Sequence, residues 1–248
     1  MQLVLSLFPG IGLFDRAFEA EGFCVVRGPD LIWGGDIRTF NPPRDRFDGV
    51  IGGPPCQIFS ILKRLCPNAG EKHGNMIPEY ERVVGEARPQ WFVMENVPQA
   101  PMPTVAGYVV RSELVLDGEV GGETQRTRRF SFGTVDGRRL PIERLALWRT
   151  DLRPALLAGG GGRETPVAIG GSGKRKPLAD GSKRRGPHSG PRTPVADMLE
   201  QSGFPRNMLD ECPLTVTGKM KAVGNGVPFA LGAAIARAVK NAFIEVAA

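Results

Sequence analysis

"QLVLSLFPGIGLFDRAFEAEG", residues 2–22, decides the fold. Residues 2–8 form an almost unbroken apolar run, as expected of a parallel strand covered on both faces. "PGIG" (9–12) is a turn. Residues 13–22 then read as a helix, with Phe14, Ala17 and Phe18 on one face and Gly22 as its stop. Strand, glycine turn and helix in that order are the first unit of an α/β sheet.

Working outward, "FCVVRGPD" (23–30) reads as a second strand. "FDGVIGG" (47–53), "QWFVMEN" (90–96) and "RRFSFG" (128–133) read as further strands, and "IPEYERVVGEA" (77–87) as a helix. "FALGAAIARAVKNAF" (229–243) places Leu231, Ile235, Ala238, Val239 and Ala242 on one helical face. Strands alternating with helices predict a doubly wound, Rossmann-like α/β sheet. Ligands of such sheets bind beyond the carboxyl ends of the strands. Phe8 to Gly12, Asp30, Cys56 and Glu95 all fall there.

At 248 residues and 41% hydrophobic, the chain suits one large domain, or a main domain with a small lobe. No run of eighteen apolar residues predicts a membrane span, and no basic stretch precedes the first apolar run as in a signal peptide. Four cysteines without a C-x-x-C pair argue against a disulfide framework or a metal site. A reducing, cytoplasmic setting is the expectation.

The net charge of +6 is unevenly spread. Residues 134–195 hold 13 Lys and Arg against 5 Asp and Glu, a net +8, while the rest of the chain nets −2. The same stretch is rich in glycine and proline, and the strand–helix rhythm lapses over 134–191. Such a segment is either a solvated loop or a lobe that binds a polyanion.

Three features carry chemistry. The glycine turn lets a ligand approach the backbone, and Asp30, eighteen residues after Gly12, is placed to accept ribose hydroxyls. An ordinary tight turn followed by a loop aspartate is the plainer alternative. "GGPPCQIFS" (52–60) holds Cys56 on a corner stiffened by two prolines. A thiol titrates near ~8.5 and needs help to act as a nucleophile, which the start of a helix over 57–65 would give. A lone cysteine is otherwise a buried, inert residue. "VMENV" (93–97) sets Glu95 at a strand mouth, either as a protonated acid or as a cap on the next turn.

Taken together these motifs resemble the cytosine-C5 DNA methyltransferases. "FPGIG", "GGDI" (34–37), "GGPPCQIFS", "MENV", "QRTRRF" (125–130) and "AVGNGVPFALG" (222–232) occur in the order of that family. Pro-Pro-Cys-Gln followed 39 residues later by the glutamate is the most specific match. The resemblance covers about 1–133 and 192–248, and departs at Pro9, at Leu13, and between Asp30 and Asp36, where a helix is missing.

The resemblance implies a methyltransferase domain over 1–133, a small, irregular target recognition lobe over 134–191, and a segment over 192–248 that packs back on the first. It implies S-adenosylmethionine as cofactor, with S-adenosylhomocysteine as product. Phe8, Gly10, Ile11, Gly12, Asp30, Asp36, Ile37, Pro55, Asn225 and Val227 would bind it. Cys56 would attack C6 of a flipped-out cytosine, Glu95 would hold the base at N3 and the amine, and Arg128 or Arg129 would hold the nucleotide. The family's Gln-x-Arg-x-Arg register puts Thr127 and Arg129 at the two arginine positions. Double-stranded DNA would meet Gln57, Ser60, Gln125 and Arg126, the basic Lys174, Arg175, Lys176, Lys183, Arg184 and Arg185, and Arg192.

The expected form is a monomer, nucleoid-associated in a bacterial or viral host, with a cognate restriction endonuclease that makes no stable complex. The alternatives are an RNA (tRNA) cytosine-5 methyltransferase on the same scaffold and a non-catalytic nucleic-acid-binding relative. The Cys-Phe-Thr motif of the former is absent, and intact Cys56, Glu95 and Asn225 argue against the latter.

Overall fold

The computed structural model describes residues 1–55, 74–145, 151–156 and 193–244. Among these, six strands form one sheet: β1 (Leu3–Leu7), β2 (Cys24–Arg27), β3 (Gly49–Gly52), β4 (Trp91–Asn96), β5 (Val109–Leu116) and β6 (Thr127–Thr134). Their order across the sheet is β2-β1-β3-β4-β6-β5. The pairs β1–β2, β1–β3 and β3–β4 are parallel, and β6 runs antiparallel to both β4 and β5. The order turns at β1: one neighbour follows it through α1 (Leu13–Ala20), the other lies on its opposite side. That reversal opens a crevice at the carboxyl end of β1 and β3.

Alternation along the strands builds two cores. Val4, Ile51, Trp91, Val93, Phe130 and Phe132 face α1 and α5 (Phe229–Ala242). Leu5, Leu7, Val50, Phe92 and Met94 face α2 (Ile77–Ala87). A Cβ on Gly232 would stand 2.7 Å from the Cβ of Ala17, so only glycine permits the close approach of α5 to α1. A third cluster joins Leu13 and Leu156 to α3 (Val195–Gln201) and α4 (Val216–Asn225) through Met198, Leu199, Met220 and Val223. The C-terminal elements thus return to the first glycine turn.

The strands and helices read from residues 2–30, 47–53, 77–96, 128–133 and 229–243 are present. Between Asp30 and Asp36 stands a single 3-10 turn, Leu31–Trp33, where a full helix was expected to be missing. A second, Ile37–Thr39, follows. β5, α3 and α4 were not foreseen. β5 is an edge strand with half its residues exposed, and Arg111, Ser112 and Glu113 interrupt its apolar residues. In α4, Val, Thr and two glycines weaken the helical signature, and burial of Met220 and Val223 against the third cluster overrides it. Among the described residues no single helix is long and apolar enough to cross a membrane.

Candidate active site

β1 ends in a strained turn. Phe8 has φ +55°, a left-handed conformation rare outside glycine, and Gly10 (φ +56°) and Gly12 (φ +76°) continue it into α1. Nothing lies within 4 Å of where a side chain on Gly10 would be. The turn therefore bares backbone toward a cleft of about 350 Å³ at the sheet's switch point. Phe8, Gly10, Ile11, Asn225 and Val227 line it, as do Ser6, Asp15, Ile32, Gly53, Glu95 and Lys221. Asn225 and Gly10 share this cleft although they stand at opposite ends of the chain.

The other residues expected at the cofactor do not line the cleft. Asp30 spends both carboxylate oxygens on the chain itself, accepting from the Gly10 N–H at 2.8 Å and from the Ile32 N–H at 2.8 Å. Trp33 Nε1 donates to the Gly10 carbonyl at 2.7 Å, so the Leu31–Trp33 turn is laced to the glycine turn. Each Asp30 oxygen retains a lone pair. Asp36 is held by Arg38, whose guanidinium beside it lowers its pKa below the usual carboxylate value. Ile37 is buried in the α2 core, and its carbonyl accepts from Arg82 at 2.7 Å. Gly12 opens α1 and Pro55 ends the described β3 loop, both outside the lining.

Two buried carboxylates open on the cleft. Asp15, on the first turn of α1, accepts from Ser6 Oγ at 2.5 Å and pairs with Arg27 at 3.0 Å. Burial raises its pKa against the pull of Ser6 and Arg27. Glu95, near the end of β4, pairs with Arg128 Nε at 2.7 Å. Burial pushes its pKa up too, opposed by Arg128 and Arg126. Gly53 abuts Glu95: a Cβ there would lie 3.0 Å from Oε2.

Sheet register settles the arginines. Glu95 is opposite Phe130 and Asn96 is opposite Arg129. Two residues before Phe130, Arg128 shares the face of Glu95. Arg129 points to the other face, donating to the Pro98 carbonyl at 2.7 Å and to Ser112 Oγ at 3.0 Å. Of the two arginines expected at the nucleotide, Arg128 therefore stands beside Glu95 and Arg129 on the opposite face: one residue of register is one face of the sheet. Arg126, expected at the polyanion, is buried and donates to the Leu156 carbonyl at 3.1 Å, because the 151–156 segment covers that end of β6. Gln125 Nε2 donates to the Leu152 carbonyl at 3.4 Å.

Asn96, which sequence reasoning quoted in a motif but gave no role, is buried. Its side chain donates to the Pro54 carbonyl at 3.3 Å and accepts from the Val97 N–H at 2.8 Å. It ties the end of β4 to the chain two residues before Cys56. Cys56, Gln57, Ser60, Lys174, Arg175, Lys176, Lys183, Arg184, Arg185 and Arg192 lie outside the described residues. Among the described residues no three His, Cys, Asp or Glu side chains converge as metal ligands.

Residues 32–104 match the family model "C-5 cytosine-specific DNA methylase". The Type II methyltransferase M.AquIA of a Picosynechococcus strain is 36% identical over 122 residues, covering 38% of this chain and 48% of that protein. M.NgoPII, a Type II methyltransferase of Neisseria gonorrhoeae, is 31% identical over 112 residues, 38% of this chain and 33% of its own. The aligned region thus spans a third to a half of the length of these relatives. In fold, the chain is similar to the methyltransferase EhMeth of Entamoeba histolytica, with a TM-score of 0.64 at 12% identity over 97% of this chain and 98% of that one. It is similar as well to a putative DNA modification methyltransferase encoded within a prophage of E. coli, with a TM-score of 0.61 at 16% identity over 97% and 99%.

Proposed function

On the premise that the chain belongs to the cytosine-C5 DNA methyltransferase family, we propose that it transfers a methyl group from S-adenosylmethionine to C5 of cytosine in double-stranded DNA. The observation that carries the reading is Glu95: a buried carboxyl, raised in pKa, on the wall of a cleft it shares with a glycine turn. Its neighbour Gly53 leads through Pro54 and Pro55 to Cys56.

The cleft fits the cofactor. Its volume lies within the roughly 300–1,000 Å³ of small-molecule sites. Phe8, Ile32 and Val227 offer apolar surface, and the turn at Gly10 offers backbone. Phe8, Gly10, Ile11, Asn225 and Val227 would hold the cofactor, with Asp30 shaping the turn. When bound, the sulfonium supplies an electrophilic methyl group.

The protein's own part follows from charge. Cys56 as thiolate adds to C6 of the cytosine, and the C6 addition makes C5 nucleophilic. Glu95 in its protonated form donates to N3, so the ring accepts electrons as the thiolate attacks. Its other oxygen accepts from the exocyclic amine. Arg128 steadies the glutamate and opposes its protonation. Once C5 is methylated, its proton leaves to a base and the electron pair expels the Cys56 thiolate. The thiolate must approach C6 along one line, which suits a corner made of two prolines with its Pro54 carbonyl tied to Asn96. The target base must leave the duplex to reach the cleft.

The basic segment 134–191 would meet the phosphates, with Lys174, Arg175, Lys176, Lys183, Arg184 and Arg185, and Arg192 just beyond it, giving salt-dependent affinity. The reading also takes the protein to act as a monomer in the cytoplasm.

Transfer of a radiolabelled methyl group to duplex DNA and to tRNA tests this directly. We expect label in DNA and none in tRNA. Label in tRNA alone would move the substrate to RNA. Label in neither, from protein that binds both cofactor and DNA, would leave a binding protein in place of an enzyme.

A further inference from the structure

Three charged side chains line the cleft: Asp15, Glu95 and Lys221. The two carboxylates each have an arginine partner, Arg27 and Arg128. Lys221 makes no salt bridge among the described residues. Among the described residues it is therefore the charge on the cleft wall without an opposite partner.

The helix that carries it aims it there. Gly218, Lys221, Ala222 and Asn225 all line the cleft, at spacings of three, four and seven residues along α4. Those spacings make one face of a helix. The neighbouring lysine shows the contrast. Lys219 lies off that face, and its Nζ donates to the Leu209 and Asp210 carbonyls at 2.5 and 3.3 Å, closing the loop that precedes α4. Lys219 holds the fold; Lys221 is exposed and has no ion-pair partner among the described residues.

We propose that Lys221 pairs with a carboxylate on the ligand, and so distinguishes a nucleoside that carries an amino-acid end from the bare nucleoside. This rests on the cofactor reading above and deepens it. The same cleft offers backbone and apolar surface at Phe8, Gly10 and Ile11, suited to the uncharged part of such a ligand. Asn225, one helical turn beyond Lys221, adds an amide donor to the same carboxylate. A lysine on a flexible stem serves as a point charge for this purpose and loses little by waiting in solvent.

Two ligands separate the terms. S-adenosylhomocysteine has the amino-acid end; 5′-methylthioadenosine keeps the nucleoside and thioether and lacks it. Calorimetric titration of each into the wild-type chain, Lys221→Met and Lys221→Arg gives the answer. We expect Lys221→Met to weaken S-adenosylhomocysteine about tenfold or more, the scale of one charge-assisted hydrogen bond, and to leave methylthioadenosine unchanged. Lys221→Arg should recover most of the loss. In turnover, Lys221→Met should raise KM for S-adenosylmethionine and spare kcat, because the contact is made equally before and during reaction.

Equal weakening of both ligands would make Lys221 a structural residue of α4 and overturn the inference. So would undiminished S-adenosylhomocysteine binding, including the case in which only DNA affinity falls. A wild-type chain that binds neither ligand would overturn the cofactor reading itself.

Discussion

The cleft has two buried carboxylates, and they are not alike. Asp15 stands beneath the glycine turn, Glu95 at the end of β4. Both are raised in pKa by burial, and both face an arginine. The arginines differ: the Arg27 side chain is 49% exposed and that of Arg128 is 15% exposed. Asp15 has a second tie in the Ser6 hydroxyl, which joins α1 to β1, while its arginine joins α1 to β2. Glu95 pairs with Arg128 and feels the charge of Arg126, and its other oxygen faces Gly53, where no side chain intrudes. One carboxylate spends its capacity on the fold. The other keeps an oxygen for something that arrives.

That contrast can be broken. Glu95→Gln should show the largest effect, a loss of methyl transfer of about 10²-fold or more, as expected when a general acid is removed. Binding of S-adenosylhomocysteine should hold. A Glu95→Gln protein at full rate would make the glutamate a strand cap. Asp15→Asn should do the reverse: kcat within a few-fold of wild type and a lower melting temperature. The ion pair it removes is half open to water, so the loss should be about 1 kcal/mol. A collapse of kcat without loss of stability would put Asp15 in the chemistry. Ser6→Ala should cost no more, about 1 kcal/mol for one hydrogen bond. It should leave both kcat and KM in place.

The smallest effect is one of pH. In the folded chain both carboxyls hold their protons above the ordinary values of 3.8 and 4.5. In that window the unfolded chain binds fewer protons than the folded one, so stability falls as pH rises. The contribution is whole below the ordinary values and gone above the raised ones. Melting temperatures of the wild type should decline across this window relative to the Asp15→Asn, Glu95→Gln double variant. A wild type whose stability rises more steeply than the double variant's would show that the arginines outweigh burial.

What was legible in the sequence was whatever left a local trace. Apolar runs gave β1, β3 and β4, because strands covered on both faces have no polar alternation to hide in. The period of 3.6 gave α1, α2 and α5. The glycines at 10 and 12 announced a turn that the chain does make, with left-handed φ at both. What was not legible depended on partners far along the chain. Lys221 is ordinary in sequence, and its place on the cleft follows only from α4 folding back. Asp15 looks like a surface residue on an amphipathic helix until Ser6 and Arg27 close around it. Arg128 and Arg129 could not be told apart without the register of β6 on β4, a matter of which residue opposes Phe130.

β6 also decides where the chain can travel next. Because it runs against β4, it begins at the cleft and finishes at the far end of the sheet, at Thr134. The chain then climbs back: Leu145 N–H reaches the Glu119 carbonyl at 2.7 Å, and Arg153 N–H reaches that of Glu123 at 2.8 Å. Leu156 is gripped by Arg126 and packs with Met198 and Leu199, while Gln201 of α3 donates to the Pro154 carbonyl at 3.2 Å. Departure and return of the intervening stretch are therefore moored in one apolar cluster, beside Leu13 at the foot of the glycine turn. Closing a chain between two fixed points costs an entropy that grows only as the logarithm of its length. A stretch moored at both ends in this way can be lengthened, shortened or exchanged at little cost to the sheet.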